Sequence, residues 1–526
     1  MGKVFQRTVE RHPDRTAVVD RDENVEYSYD TWNERVNRLA SAFEERGIGS
    51  GDRVGVVMQP RVQAGTVYWA VQKSGAIFVP YNIRASADEL QFLVNNTEPD
   101  LLVYSSIARD AIDEAHEAFT TDELAYVDED PPSYAEPYSE LLRSGEDEFE
   151  PVNVSSDDTS LILHTSGTTG RPKGVPRTHT NTYTASTAHA IQSQWKDSET
   201  TLGLMPIYHT MGIRTLTTMA ILSGTWVAQR SFSPQQTADL IEAESISSLY
   251  LVPTVFHDLV NASVLETTDV ASVRCIGYAG TPMTEAVQTN VREALDPDIF
   301  VNHYGSTEVY TYCVCSWLDE KPGSAGRAGI NTRVRVVDAE RESDIAPTDT
   351  VPAEALGEII VDATSPEAFE GYLNRPEATE DAFTDGWYYT GDLGYRDQDG
   401  DLFVVGRVDD MIISGGENIY PVEVENAIDG HEAIEEVAIV GVDDKRWNQV
   451  VTAFLTVPGD PAAQDFDDLA NELDKYIQNG DTIADFKRPR KYVFVDEVVK
   501  SNVGKVLRRK LDADDTDVDI HQIVDV

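Results

Sequence analysis

Cysteine is nearly missing from this chain of 526 residues. Cys275, Cys313 and Cys315 form an odd trio that makes no disulfide framework and leaves free thiols, as expected of a reducing, cytoplasmic setting. Cys313 and Cys315 are spaced to share one strand face, but no His or further Cys stands nearby to complete a metal site. Long apolar runs are also missing, since none reaches the roughly 18 residues of a membrane span. The opening segment "MGKVFQRTVERHPD" lacks the apolar stretch of a signal peptide and the Ser or Thr that a myristoylation signal requires.

Positive charge is the scarcest commodity. The chain has 42 Lys and Arg against 92 Asp and Glu, a formal net charge of −50. The acids are scattered through every segment ("RDENVEY", "RSGEDEFEP", "DADDTDVDI") and do not form one block. A dispersed acidic coat suits high intracellular salt, as in a halophilic cytoplasmic protein, and it disfavours nucleic acid as a partner. Only 12 of the basic residues are Lys, and seven of these lie at or after Lys445, several within "ADFKRPRKY" (484–492) and "GKVLRRK" (504–510). Basic clusters kept against such a background are expected to meet anionic ligands.

The length implies two or three domains. Residues 27–47 read as an amphipathic helix closed by Gly47, followed by a strand at 52–58, a helix at 61–76 and a strand at 77–82. Similar short strands recur at 100–105, 248–253, 273–280 and 298–305, with a helix at 282–295. Strands alternating with helices predict α/β layers around a largely parallel sheet, with ligands beyond the strands' carboxyl ends. "YAGTP" and "NHYGSTE" fall in that place. From about 327 the texture becomes antiparallel β, consistent with a small barrel, and past 410 it becomes a compact α+β unit.

One loop carries chemistry by itself. "HTSGTTGRPKG" (164–174) looks like a phosphate loop, yet a Walker template started at Gly167 places Pro172 where its second Gly belongs and Gly174 after Lys173. Its glycines let backbone N–H groups turn toward an anion, while its hydroxyls, Arg171 and Lys173 add donors and charge.

This loop resembles the signature of the adenylate-forming superfamily, which comprises acyl- and aryl-CoA synthetases, luciferases and peptide-synthetase adenylation domains. Further stretches similar to that family's motifs follow in order: "LMPIYHTMG" (204–212), "YAGTP" (278–282), "HYGSTE" (303–308), "WYYTGD" (387–392), "GRVDDMIISGGENIYPVEVE" (406–425) and "NVGKVLRRKL" (502–511). They cover nearly the whole chain. The resemblance implies an α/β fold: a large AMP-binding domain over 1–406 with parallel sheets and a barrel-like part near 327–406, a hinge at 407–410 and a mobile α+β lid over 411–526.

The resemblance also implies roles. Thr165, Ser166, Gly167, Thr168, Thr169, Gly170 and Lys173 would close over the outer phosphates of ATP. Tyr304 would stack on adenine, opposite Ala279, Gly280 and Thr281, within a nucleotide site that includes His303, Gly305 and Ser306. Thr307 would contact the α-phosphate, Glu308 would hold Mg²⁺, Asp392 would accept the ribose hydroxyls and Arg407 would reach the ribose. Lys505 would bridge the substrate carboxylate and the α-phosphate, offsetting their repulsion as they meet. Asp409 would be the hinge that swaps Lys505 for "ISGGEN", where Gly415 and Gly416 let a pantetheine arm pass. Lys487, Arg488 or Arg490, and Lys491 would bind coenzyme A phosphates, with Arg84, Trp447 and Phe486 as further coenzyme A contacts. His209 would gate the acyl pocket and act in catalysis; Tyr208, Met211, Tyr310, Thr311 and Tyr312 would line it.

The similarity is greatest to benzoate-type CoA ligases, so an aromatic acid is expected, with a short or medium fatty acid as the alternative. A luciferase would share the motifs, and a peptide-synthetase module would need a carrier domain after Leu511. A nucleotide-binding regulator on the same fold would be expected to lack Lys505 or Glu308, and both are present. The implied partners are the acid, ATP, Mg²⁺ and coenzyme A, with no membrane span; a homodimer is left open.

Overall fold

The computed structural model describes residues 1–165, 171–339, 345–415, 417–428, 431, 433–459, 461, 464–480, 483–500, 506–511 and 519–525. Ser166, Gly167, Thr168, Thr169, Gly170, Gly416 and Lys505 lie outside the described residues.

Short strands such as Leu101–Tyr104 and Ser248–Leu251 are buried along their whole length, as parallel strands covered on both faces must be. They assemble into two large sheets. In one, six parallel strands run in the order Thr16–Asp20, Thr225–Ala228, Thr200–Gly203, Ser248–Leu251, Cys275–Tyr278, Ile299–Tyr304. Antiparallel strands close its edges: Val25–Ser28 at one side, Cys313–Cys315 and Arg327–Ala328 at the other. The second sheet has seven strands, all parallel except the last pair, Thr159–Thr165 with Lys173–Thr178. That pair puts Thr165 opposite Lys173, so the phosphate-loop sequence joins two strands of a hairpin. One continuous core spans both sheets, from Phe5 and Trp69 to Tyr250 and Tyr310.

The helix expected over 27–47 is Tyr29–Glu45; Ser28 ends the preceding strand and caps it by accepting from Thr31 N–H. The antiparallel region also differs in detail. Arg327–Ala328 belongs to the nine-stranded sheet, and the next strands form a smaller one in which Trp387–Arg396 pairs with Gly357–Asp362, Phe383–Thr384 and Leu402–Arg407. Among the described residues no pairing joins Val334–Val337 to Leu402–Arg407, and Leu402 instead bridges to Gly326.

The smaller C-terminal domain has its own core, with Ile412, Leu455, Leu473 and Phe494 packed under a six-stranded sheet. Its helix Phe466–Gly480 buries Leu469, Leu473 and Ile477 at helical spacing.

The few lysines are mostly engaged. Lys73 is buried and donates to the amide oxygens of Gln6, Asn33 and Asn37 at 2.6, 2.6 and 2.7 Å. Lys321 meets Asp397, Asp399 and Asp401, so its ammonium already neutralises the one acidic cluster of metal-ligand geometry among the described residues. All three cysteines are free and buried, and burial pushes the Cys313 thiol up to about 12. No helix among the described residues is long and apolar enough to cross a membrane.

Candidate active site

The strand Ile299–Tyr304 delivers Tyr304 to the carboxyl end of the large sheet, and residues 305–308 turn sharply behind it. Ser306 Oγ accepts from the N–H groups of Glu308 and Val309 at 3.0 and 3.3 Å. A side chain at Gly305 would strike the Tyr310 carbonyl at 2.2 Å, so the turn needs glycine. The neighbouring strand Cys275–Tyr278 leads into Ala279, Gly280 and Thr281, and Gly280 has a positive φ of 95°.

The small sheet faces this turn with a charged pair. Asp392 and Arg407 lie opposite each other on adjacent strands. Arg407 Nη1 donates to Asp392 Oδ1 at 2.7 Å and to the Thr390 carbonyl at 2.8 Å. Tyr304 OH donates to the other Asp392 oxygen at 2.6 Å. Burial, reinforced by Asp392, holds the Tyr304 hydroxyl well above its usual range, so it stays a donor at neutral pH.

Glu308 is buried, and Tyr372 OH donates to its Oε1 at 2.8 Å. Its second carboxylate oxygen has no donor among the described residues. The Lys173 ammonium sits 4.1 Å from the centre of the Tyr372 ring. Leu373 N–H donates to the Gly174 carbonyl at 2.9 Å, which fixes Tyr372 beside Lys173. Thr165 Oγ1, across the hairpin, is buried without a partner among the described residues. Arg171 stacks 4.8 Å from the Phe92 ring. The structure therefore brings Lys173, Tyr372 and Glu308 into one chain and Tyr304, Asp392 and Arg407 into another.

Two buried arginines underpin the turn. Arg177 Nη1 donates to the carbonyls of Glu308 and Thr307 at 2.6 and 3.2 Å, and Nη2 to that of Glu367. Its guanidinium lies 3.9 Å over the Tyr310 ring, with that of Arg214 at 5.4 Å.

On the expected acyl side, Tyr208, Met211 and Tyr310 are buried, the last two within the main core. The His209 ring leans on Tyr208 with centroids 4.6 Å apart; its Nε2 is buried without a partner, and burial lowers its pKa to about 4. Thr311 accepts from Arg214. Two residues stand apart from these. Tyr312 packs edge-on against Tyr304 at 4.9 Å, within the core of the small sheet, and not with Tyr310. His303 alternates with Tyr304 along the strand, so its ring points to the opposite face, where Nε2 meets Ser193 Oγ at 3.0 Å.

In the C-terminal domain, Gly415 has a φ of 62° and approaches Trp447 so closely that a Cβ would meet the indole at 2.9 Å. Arg446 and Arg490 lie 4.8 and 5.3 Å from the Trp447 ring, and Lys491 begins the strand next to Arg490. Phe486 is exposed and Lys487 pairs with Glu423. Arg488 forms ion pairs with Asp474 and Asp485. Arg84 is exposed on the N-terminal domain. Asp409 is exposed beside Asp410, which Arg508 reaches at 3.5 Å.

A family model for AMP-binding enzymes matches residues 5–373, and one for the AMP-binding enzyme C-terminal domain matches residues 423–505. The chain belongs to the AMP-binding enzyme family. Long-chain-fatty-acid–CoA ligase FadD13 of Mycobacterium tuberculosis is 29% identical to this AMP-binding enzyme over 97% of each chain. A 4-chlorobenzoate–CoA ligase of an Arthrobacter species is 31% identical over 95% of this chain and 92% of its own. Among solved structures, o-succinylbenzoate CoA synthetase (MenE) of Bacillus subtilis with its acyl-adenylate superposes with a TM-score of 0.81, at 27% identity, over 96% of this chain and 97% of that one.

Arg177, Arg214, His189 and Tyr372 were not singled out by sequence reasoning. Their signal is faint. Arginine in the interior of strand 173–178 or of a helix looks like any other charge until burial is known, and Tyr372 lies in "EGYLNRPEAT", whose turn residues mask it.

Proposed function

We propose that this AMP-binding enzyme is an ATP-dependent acid–CoA ligase acting on an aromatic acid of the benzoate, hydroxybenzoate or cinnamate type. The observation that carries the reading is the convergence of Tyr304, Asp392 and Arg407 with Glu308, Tyr372 and Lys173 on one rim of the large sheet. Tyr304 offers a ring face for a base, Asp392 offers acceptors for ribose hydroxyls, and the hairpin from Thr165 to Lys173 offers donors for phosphates.

In the first step a carboxylate oxygen attacks the α-phosphorus, the bond to the β-phosphate oxygen breaks, and pyrophosphate leaves with that electron pair. Lys505 offsets the repulsion of the two anions, Thr307 positions the α-phosphate and Lys173 holds the outer phosphates. In the second step the thiol of coenzyme A adds to the acyl carbonyl, loses its proton and expels AMP. The lid swings about Asp409 between the steps, presenting Lys505 first and Gly415 with Gly416 second. The Trp447 patch with Arg490 and Lys491, together with Lys487, Phe486 and Arg84, would receive coenzyme A.

A buried carboxylate with one oxygen fixed by Tyr372 and the other open fits a hard cation, so Glu308 would hold Mg²⁺. When bound, the ion neutralises phosphate charge. The dispersed acid coat and buried thiols support a reducing, salt-rich cytoplasm as its setting.

The aromatic reading is supported by the rings of Tyr208, His209 and Tyr310 and by the 4-chlorobenzoate ligase relative. The FadD13 relative favours a fatty acid as the second reading. A pyrophosphate-release screen in molar KCl over benzoate, 4-hydroxybenzoate, cinnamate and octanoate decides between them: turnover of the aromatic acids is expected, and turnover of octanoate alone would overturn the aromatic reading.

A further inference from the structure

Arg214 lies on the helix Thr210–Leu222, just past His209, and its side chain is 2% exposed. A guanidinium keeps its charge, and a buried charge without a counter-charge is costly. Yet every described partner of Arg214 is neutral. Nη2 donates to the Tyr310 carbonyl and, at 3.0 Å, to Thr311 Oγ1, while Nη1 lies 3.5 Å from Tyr250 OH. Nε has no acceptor, and no described carboxylate pairs with this guanidinium.

The surroundings share the deficit. His189 packs against Tyr250 and His303 with ring centroids 4.5 and 4.8 Å apart. Both ring nitrogens of His189, Nδ1 of His303 and the hydroxyl of Tyr310 are buried without partners. Burial first, then the neighbouring Arg214, keeps His303 near a pKa of about 3, and burial holds His189 well below its usual range. Both imidazoles are therefore neutral, and each carries an N–H to donate. Folded proteins leave few buried polar groups unpaired, and here several converge on one guanidinium.

The cluster adjoins the reacting end of the site. Tyr310 and Thr311 follow Thr307 on one segment, and four residues of chain span at most about 14 Å. Arg177 joins the two ends, bonding the Thr307 and Glu308 carbonyls while lying over Tyr310.

We propose that Arg214 is a specificity-determining residue that receives a second carboxylate of the acid substrate, with His189 and Tyr250 beside it. This rests on the acid–CoA ligase reading above. The substrate class is then an aromatic dicarboxylic acid: one carboxylate reacts near Thr307 and Glu308, and the other meets Arg214. A charge-assisted bond forms where only neutral oxygens served before. An apolar ring end would leave the guanidinium unpaired and is turned over less efficiently for that reason.

The test measures kcat/KM with the full chain, ATP and coenzyme A for two matched pairs, benzoate with 4-carboxybenzoate and cinnamate with 4-carboxycinnamate, plus 4-hydroxybenzoate. The wild type should favour at least one dicarboxylate over its parent acid by about 30-fold or more. Arg214→Met should collapse that ratio, and Arg214→Lys should restore part of it. Thermal melting of Arg214→Met should be no lower than wild type, since the change removes an unpaired buried charge. Wild-type enzyme that prefers neither dicarboxylate, or that takes 4-hydroxybenzoate equally well, overturns the proposal without any variant. Preference for the dicarboxylate that survives Arg214→Met also overturns it. If no acid supports pyrophosphate release, the ligase reading fails and this inference falls with it; if benzoate is turned over without the preference, only the inference falls.

Discussion

Asp392 accepts from Tyr304 and pairs with Arg407, while Arg214, on the far side of the turn at 305–311, is buried among neutral oxygens. On the proposed nucleotide side the protein supplies the counter-charge itself, so Tyr304, Asp392 and Arg407 are organised without a ligand. Around Arg214, the proposed acyl side, no described carboxylate supplies a counter-charge. Paired charges set geometry, whereas an unpaired buried charge selects a ligand, because only an anionic or strongly accepting group relieves its cost.

The largest expected effect would show that the chemistry depends on the lid as well as on this rim. Lys505→Ala should slow acyl-adenylate formation by about 10²–10³-fold while sparing thioester formation from supplied acyl-adenylate. Stopped-flow measurement of each half-reaction checks this, and equal loss in both would contradict the assigned role. On the nucleotide side, Asp392→Ala removes the shared acceptor of Tyr304 and Arg407. It should raise KM for ATP by about 10- to 100-fold and leave KM for the acid nearly unchanged. A rise in the acid's KM instead would erase the division between the two sides.

A smaller effect is expected at Tyr372. Tyr372→Phe removes one donor from the buried Glu308 carboxylate, about 1–2 kcal/mol of support. The Mg²⁺ concentration for half-maximal adenylation should rise up to about 10-fold, with little change in melting temperature. An unchanged Mg²⁺ dependence would reduce Tyr372 to packing.

The smallest effect concerns the buried histidines of the acyl side. His209 and His303 are held down to about 4 and about 3 by burial, below an unfolded value of about 6.5. Their contribution to stability is therefore full above about pH 6.5 and is lost as pH falls through the lower values. His303→Gln should flatten the fall of melting temperature with acidification in that window, measured by calorimetry at fixed salt. A wild-type melting temperature that rises on acidification would contradict the sign.

The meeting of Tyr304, Asp392 and Arg407 was legible in the sequence, because each lies in a contiguous motif on a strand. "WYYTGD" and "GRVDD" even fall on paired strands, which sets Asp392 opposite Arg407. The acyl side was not. Arg214, His189 and Tyr250 come from two helices and a strand far apart in sequence, and only the packing of those elements gathers them. His303 and Tyr304 are neighbours on one strand, so alternation sends their side chains to opposite faces, which spacing in a motif does not show. The ion pairs of Arg488 with Asp474 and Asp485, one of them on another element, were likewise not visible in the sequence.

ATP–pyrophosphate exchange tests the central claim most directly: a carboxylate is activated on ATP before any thiol takes part. With labelled pyrophosphate, ATP, Mg²⁺ and an aromatic acid, but no coenzyme A, label should enter ATP in an acid-dependent manner. Exchange that appears only after coenzyme A is added, or that ignores the acid, would contradict it.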